Sequence, residues 1–409
     1  MYFSAVDFGS STFRALIGET RKNGGLTILD IFKVPAIGMR KGEIVSVEES
    51  LVSVNQILAR IKEHHKSAAR NIFAGVGGAN VRHQHSRGIV AVSRADNEIY
   101  DDDIERVIKA SQALNLGPNR MILHTLTKEF TVDGASGIAD PLGMVGNRLE
   151  VQSLVIDAFK ATVNNILKSI EAGGGRVTGL VYNPLASSRA VLTKAQKELG
   201  VVSVDIGSGT TGMAVYEEGE LLSATVFPVG ATNITNDLAI GLKCSPKTAQ
   251  RIQFSFGAAL AKDVSAKDKI ELGEFDPSLR ATVSRKFVAE IIEVRLAEIF
   301  ELVNNELKLI GKMGELPAGV VLTGGGAKIA GIVELVKQEM KLGGEIGTPD
   351  TNDWEIISQG GVAELDDPEF SVVAGLLRWA SDRAPGRSSW EAAIPSDSWI
   401  SRTLRHFLP

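Results

Sequence analysis

The feature that most restricts what this chain can become is a turn that occurs twice. Ser4-Ala5-Val6-Asp7-Phe8-Gly9-Ser10-Ser11-Thr12 lies near the start, and Ser203-Val204-Asp205-Ile206-Gly207-Ser208-Gly209-Thr210-Thr211 repeats its pattern at mid-chain. Asp7 and Asp205, Gly9 and Gly207, Ser10 and Ser208, and Thr12 and Thr210 stand at matching offsets. In each copy an apolar run ends in aspartate, and a second apolar run follows at 13–17 and 213–216, so each copy predicts one β-hairpin. Glycine lets the backbone approach a ligand closely, while N–H groups and hydroxyls in such a turn suit phosphate oxygens. An aspartate at the strand end can hold Mg²⁺ through water. One Asp-x-Gly turn is as readily an ordinary hairpin. Two of them imply two related domains that face each other across a cleft and bring both aspartates and both phosphate loops onto one nucleotide.

A third glycine element completes the set. Gly319-Val320-Val321-Leu322-Thr323-Gly324-Gly325-Gly326-Ala327-Lys328 predicts a strand and a glycine turn, followed by an amphipathic helix to about residue 340. The glycines leave room for a flat ring or sugar beside a helix N-terminus. The three elements resemble the phosphate 1, phosphate 2 and adenosine motifs of the actin/Hsp70/sugar-kinase superfamily of ATP-binding proteins. That resemblance implies an α/β, two-domain ATPase fold that takes ATP and Mg²⁺. Asp7 and Asp205 would hold the metal through water, and Gly9, Ser10, Ser11, Thr12, Gly207, Ser208, Gly209, Thr210, Thr211, Gly324, Gly325, Gly326 and Lys328 would line the nucleotide. The P-loop pattern does not occur in the sequence.

Bulk composition bounds the rest. A chain of 409 residues, 44% hydrophobic and 23% charged, has ample material for two domains. A net charge of −5 gives no support for general nucleic-acid binding. The single cysteine, Cys244, cannot form an internal disulfide and fits a reducing cytoplasm. No basic-then-apolar leader opens the sequence, and no apolar run is long enough to span a bilayer. The expectation is a cytosolic protein, or one attached to the membrane from the cytosolic side.

Along the chain, periodicity predicts a strand at 26–34, a helix at 47–62 and a strand at 71–76. Short alternating strands around one helix starting near Asp101-Asp102-Asp103 are expected from 80 to 150, the acids complementing the helix N-terminus. His83 and His85 share a strand face without further ligands nearby, and His64 and His65 read as a solvated helix end. The block Ile138-Ala139-Asp140-Pro141-Leu142-Gly143-Met144-Val145-Gly146-Asn147-Arg148-Leu149 resembles the signature near the end of the inserted subdomain of the FtsA family of bacterial cell-division proteins. Its plainer reading is a Pro/Gly loop before a strand.

A strand at 151–156, a helix at 158–172 and a strand at 177–182 lead to Asn183-Pro184-Leu185-Ala186-Ser187, expected as the helix linking the two domains. Family members often have glutamate where Asn183 stands, near the γ-phosphate, as a candidate for orienting the attacking water. Asparagine can hydrogen-bond that water but cannot take its proton, so slow hydrolysis or none is expected. A helix at 237–242 and another at 246–256 follow. The second places Gln250 and Gln253 where relatives offer Glu or Lys to the ribose and adenine. A long helix at 288–309 contains Ile291-Ile292-Glu293-Val294-Arg295, similar to the family segment that receives the C-terminal tail of the tubulin-like division protein FtsZ. Arg285, Lys286 and Arg295 are the candidates for acidic groups on that peptide, against the alternative of a solvated helix face. Residues 370–377 predict a second connecting helix, whose Ala374-Gly375 pair would allow close packing on the first.

Residues 381–395 are rich in Pro, Gly, Ser and Arg and read as a linker. Beyond it, Trp399, Ile400, Leu404, Phe407 and Leu408 fall on one helical face and Arg402 and Arg405 on the other, which predicts an amphipathic helix held by anionic lipid or docked on the core.

The resemblance implies domain 1A at 1–78 and 152–199, an inserted subdomain 1C at 79–151, a domain 2A core at 200–228 and 315–380, subdomain 2B at 229–314, and a membrane-targeting helix at 396–409. It implies an actin-like protein that polymerises on the cytoplasmic face of the inner membrane at the division site. Such a protein tethers FtsZ filaments there and recruits other division proteins through 79–151. The alternatives are an actin homologue of type IV pilus assembly (PilM-like) and a metabolic kinase of the same fold.

Overall fold

A computed structural model describes residues 1–21, 25–358 and 360–382. These form two compact units, one of residues 1–79 with 169–381 and one of residues 80–168.

The larger unit contains the same sheet plan twice. In the first sheet the order is Val177–Tyr182, Ile72–Val76, Tyr2–Phe8, Thr12–Thr20, Leu26–Pro35 and Trp354–Ile356. In the second it is Glu220–Phe227, Thr211–Glu217, Val201–Ile206, Val320–Thr323 and Gly344–Ile346. Each begins as an antiparallel three-strand meander from the aspartate-bearing strand, with parallel strands added on that strand's other side. The aspartate strands are buried almost throughout, as strands covered on both faces must be, so they read as near-continuous apolar runs.

Trp354–Ile356 departs from expectation. Sequence order places it with the second core at 315–380, yet it pairs in parallel with Leu26–Pro35 at the edge of the first sheet. The helix Ser371–Asp382 follows it there, with Leu377 packed on Gly18. This helix crosses the linking helix Asn183–Val191 at Gly375, where a methyl group would run into the Ala186 carbonyl oxygen. It continues through Asp382, so the linker expected from Ser381 does not begin there.

Three other helices start elsewhere than periodicity suggests. Ala231–Leu242 begins six residues ahead of Asp237, because the Asn233 side chain accepts the Gly230 N–H and the Ala231 and Thr232 amides donate to Gly207 and Ser208 carbonyls. Arg285–Leu309 begins at a Ser284 cap. Lys160–Ala172 begins late because the strand Arg148–Phe159 stays paired through Phe159. At the helix end His64 is exposed, as expected, and His65 is half-buried. His64 lies 3.4 Å from an Asp30 carboxylate oxygen, and His65 stacks on Tyr2.

The smaller unit is a four-stranded antiparallel sheet ordered Arg82–Ala91, Arg148–Phe159, Arg120–Val132, Ala135–Ile138. Three strands are long rather than short, at 10, 12 and 13 residues. The helix Asp101–Ser111 packs Ile104 and Val107 against Phe130, Leu149 and Val151. Its buried Asp103 accepts the Tyr100 N–H and pairs with Arg94 and Arg106, so this acid caps the helix.

The crossing at Gly375 generates a prediction. Gly375→Ala should lower unfolding free energy by about 3 kcal/mol, because backbone rather than a flexible side chain stands in the way. Gly343→Ala, with open space around it, should stay within about 0.5 kcal/mol of the parent in the same denaturant titrations.

Candidate functional site

Because the two sheets share a plan, their aspartate turns reach the same place in the larger unit. They open on a cleft of about 840 Å³, within the range of small-molecule sites. Of the residues singled out in the sequence, Asp7, Gly9, Ser10, Ser11, Thr12, Asn183, Asp205, Gly207, Ser208, Thr210, Gln250, Gln253, Gly324, Gly325, Gly326 and Lys328 line it. Gly209 and Thr211 do not. Gly209 is packed so closely that an added methyl would meet Ser10 Oγ at 2.5 Å, and buried Thr211 donates its hydroxyl to the Val229 carbonyl at 2.9 Å.

The two aspartates dominate the electrostatics. Asp7 is 5% exposed, and its Oδ1 has no hydrogen-bond partner. Burial raises its pKa to about 6 against the opposing pull of Arg14. Burial and the neighbouring Asp7 charge push Asp205 to about 7. The glycine turn packs directly on this pair. Gly324 has φ +81°, and a side chain there would collide with Asp205 Oδ1, while one at Gly326 would strike Ile206.

Asn183 begins the linking helix and is wedged between Gly75 and Gly77, its Oδ1 buried without a partner. Gln253 is buried, and its Oε1 accepts the Thr235 hydroxyl at 2.6 Å, leaving the amide NH₂ to the cleft. Lys328 is held by Asp367 at 2.7 Å and lies 3.7 Å from Glu369.

The three residues expected to meet a partner peptide separate in the structure. Arg285 lines the cleft and donates from Nε to the Phe256 carbonyl. Arg295 grips Asp237 through Nε and Nη2 at 2.6 and 3.0 Å, with Glu298 at 2.5 Å, so its guanidinium is committed within the protein. Lys286 lies outside the cleft lining. Ile240 (76%), Phe287 (41%) and Val294 (62%) are exposed apolar side chains on the helices Ala231–Leu242 and Arg285–Leu309. The amphipathic segment with Trp399, Ile400, Arg402, Leu404, Arg405, Phe407 and Leu408 lies outside the described residues.

Among the lining residues that sequence reasoning did not single out are two charged ones, Arg14 and Glu369. Arg14 had an available signal, since hairpin register places it opposite Asp7. Glu369 had none.

Comparison with known proteins bears on this geometry. A family model described as "SHS2 domain inserted in FTSA" matches residues 78–157, and one described as "Cell division protein FtsA" matches residues 202–375. A cell division protein FtsA from Bacillus subtilis (strain 168) is 32% identical over 382 residues, covering 93% of this chain and 84% of the relative. The chain belongs to the FtsA cell-division family. The FtsA of Pseudomonas aeruginosa is 34% identical over 375 residues, covering 91% of this chain and 88% of its own length. The FtsA of Escherichia coli (strain K12) is 28% identical, covering 97% of this chain and 95% of the relative.

Solved structures share the actin-like fold at lower identity. A PilM–PilN type IV pilus biogenesis complex matches with TM-score 0.63 and 15% identity, over 93% of this chain and 98% of the other. MreB5 of Spiroplasma citri bound to ADP matches with TM-score 0.55 and 12% identity, over 93% and 97%. The likeness to PilM is therefore one of fold, while the sequence relatives are FtsA.

The raised aspartates predict a pH dependence for this FtsA-family protein. A carboxyl whose folded pKa exceeds its unfolded value near 3.8 stabilises the fold below that value. The contribution is lost as pH rises through about 6 to 7. Asp205→Asn removes the loss, so from pH 5 to pH 8 the variant should gain on the parent by on the order of 2 kcal/mol. Denaturant titrations without nucleotide or divalent cation measure it.

Proposed function

We propose that this protein binds ATP with Mg²⁺ in the cleft and uses it to hold a conformation suited to self-association. In that state it anchors FtsZ filaments to the cytoplasmic face of the inner membrane at the division site. The observation that carries the reading is the buried Asp7–Asp205 pair, placed by two equivalent hairpins, with one carboxylate oxygen left unpartnered and a glycine turn packed beside it.

The residues present suit the expected cofactor. Among the described residues no group of three or more His, Cys, Asp or Glu side chains could hold a metal. Mg²⁺ rarely needs such a cage, since one or two carboxylates, water and the phosphates themselves complete its shell. Asp7 and Asp205 would hold it through water, and it would neutralise phosphate charge. Ser10, Ser11, Thr12, Gly207, Ser208 and Thr210 would meet the phosphates, and Gln250, Gln253 and the turn Gly324-Gly325-Gly326 the nucleoside. Asn183 can orient a water but not deprotonate it, which supports a slowly hydrolysed ligand.

Partner surfaces follow from the family and from exposure. The exposed apolar side chains of Ile240, Phe287 and Val294, with Lys286 on the same helix as the last two, suit an FtsZ tail peptide carrying apolar and acidic groups. Arg295 would shape that surface through Asp237 rather than contact the peptide. The inserted unit would contact other division proteins, and residues 396–409 would bind anionic lipid, with weak single anchors made strong by polymerisation. Among the described residues no helix is long and apolar enough to cross a membrane.

Two measurements test the reading. Gly324→Ala should weaken binding of a fluorescent ATP analogue with Mg²⁺ at least about tenfold, because the turn must shift away from Asp205. Unchanged affinity would remove the nucleotide from this cleft. In sedimentation with anionic vesicles and ATP–Mg²⁺, the full chain should pellet and recruit FtsZ to the pellet, whereas a chain ending at Ala384 should stay in solution. Equal behaviour of the two would remove the tail from the membrane.

A further inference from the structure

Arg14 stands between two carboxylates. Its Nη2 lies 2.9 Å from Glu369, while Nη1 lies 3.8 Å from Asp7, so Glu369 has the closer hold. Glu369 is itself surrounded by cations from both sheets' sides of the cleft. Lys33 is 2.9 Å away from the first-sheet strand Leu26–Pro35, and Lys328 is 3.7 Å away beside the glycine turn. These charges overcome the effect of burial and hold the Glu369 carboxyl down at about 2. Glu369 is therefore ionised throughout the physiological range.

The backbone around Glu369 is fixed as well. Asp367 caps the short turn Pro368–Phe370 by accepting the Glu369 N–H. The Pro368 carbonyl accepts from both Thr323 Oγ1 and the Gly324 N–H, each at 3.0 Å. The Arg14 and Lys33 cations also lie over the Phe370 ring, each 5.8 Å from its centre.

We propose that Glu369 is a positioning residue that keeps Arg14 off the Asp7 carboxylate, leaving Asp7 free for a divalent cation. An arginine fork and a buried carboxylate close at short range into a bidentate pair when nothing competes. Here Glu369 competes. Without its negative charge Arg14 turns to Asp7, and the carboxylate oxygen now free of partners is taken. The inference rests on the reading of the cleft as an ATP–Mg²⁺ site.

The test is nucleotide binding by the full chain as a function of Mg²⁺, read with a fluorescent ATP analogue. Glu369→Gln, which keeps shape and removes charge, should raise the Mg²⁺ concentration for half-maximal binding about tenfold, roughly 1.4 kcal/mol. In an Arg14→Met background the same substitution should add nothing, because no arginine remains to turn. Glu369→Asp should shift the requirement less than Glu369→Gln, and it serves alone if the glutamine variant melts below the assay temperature. Wild-type binding with an unshifted Mg²⁺ requirement in both Glu369 variants overturns the inference alone. So does a Glu369→Gln defect that persists undiminished in the Arg14→Met background, which would mark Glu369 as a purely structural residue. A wild-type protein that binds no nucleotide overturns the site reading and this inference together.

Discussion

Burying two carboxylates side by side is unfavourable, because each loses its water and each repels the other. Asp7 and Asp205 accept that cost where two copies of one sheet plan converge, and both titrate near neutrality as a result. A structure concerned only with stability would place apolar residues there. Around the pair, the fold supplies partial relief and no more. Arg14 is near Asp7 without closing on it, and glycines rather than bulky side chains pack against Asp205. The pair is thus left buried, partly charged at neutral pH and open on the cleft side, which is the property that ties the fold to the cation binding proposed for it.

The elements read correctly from sequence are those whose chemistry is contiguous. An aspartate at a strand end, a glycine two residues on and hydroxyls after it specify a hairpin within about ten residues. The equality of two such stretches then implied the duplicated sheet, and the glycine turn at 324–326 was legible for the same reason. Helix starts were less legible. The helix Ala231–Leu242 is opened by a glycine cap and by the carbonyls of Gly207 and Ser208, which no local pattern of apolar residues reveals.

Tertiary pairing of charges was not legible at all. Glu369 meets Arg14 across 355 positions, and nothing in its neighbourhood distinguishes it from any surface glutamate. Arg285 and Arg295 were candidates for the same partner peptide, yet one faces the cleft and the other is absorbed by Asp237 and Glu298. Long cationic side chains reach several elements, so sequence gives their charge without their partner. The return of Trp354–Ile356 to the first sheet was hidden similarly, since a three-residue edge strand leaves almost no periodic signal.

That return has a mechanical consequence. Because residues 354–382 rejoin the first sheet's side after the second core is complete, the larger unit is crossed twice, once by Asn183–Val191 and once by the segment leading to Ser371–Asp382. The second crossing is fastened on one side by Thr323 and Gly324 to the Pro368 carbonyl, and on the other by Arg14 and Lys33 to Glu369. The two crossing helices then meet with no side chain between them at Gly375. A movement of the glycine turn relative to Asp7 must therefore either carry the 367–370 segment with it or break hydrogen bonds to Pro368. Packed interfaces of this kind rearrange between discrete states rather than bending continuously. The cleft and the helix that leads toward the C-terminal segment are thus parts of one mechanical element, joined by contacts a few ångströms from the carboxylates.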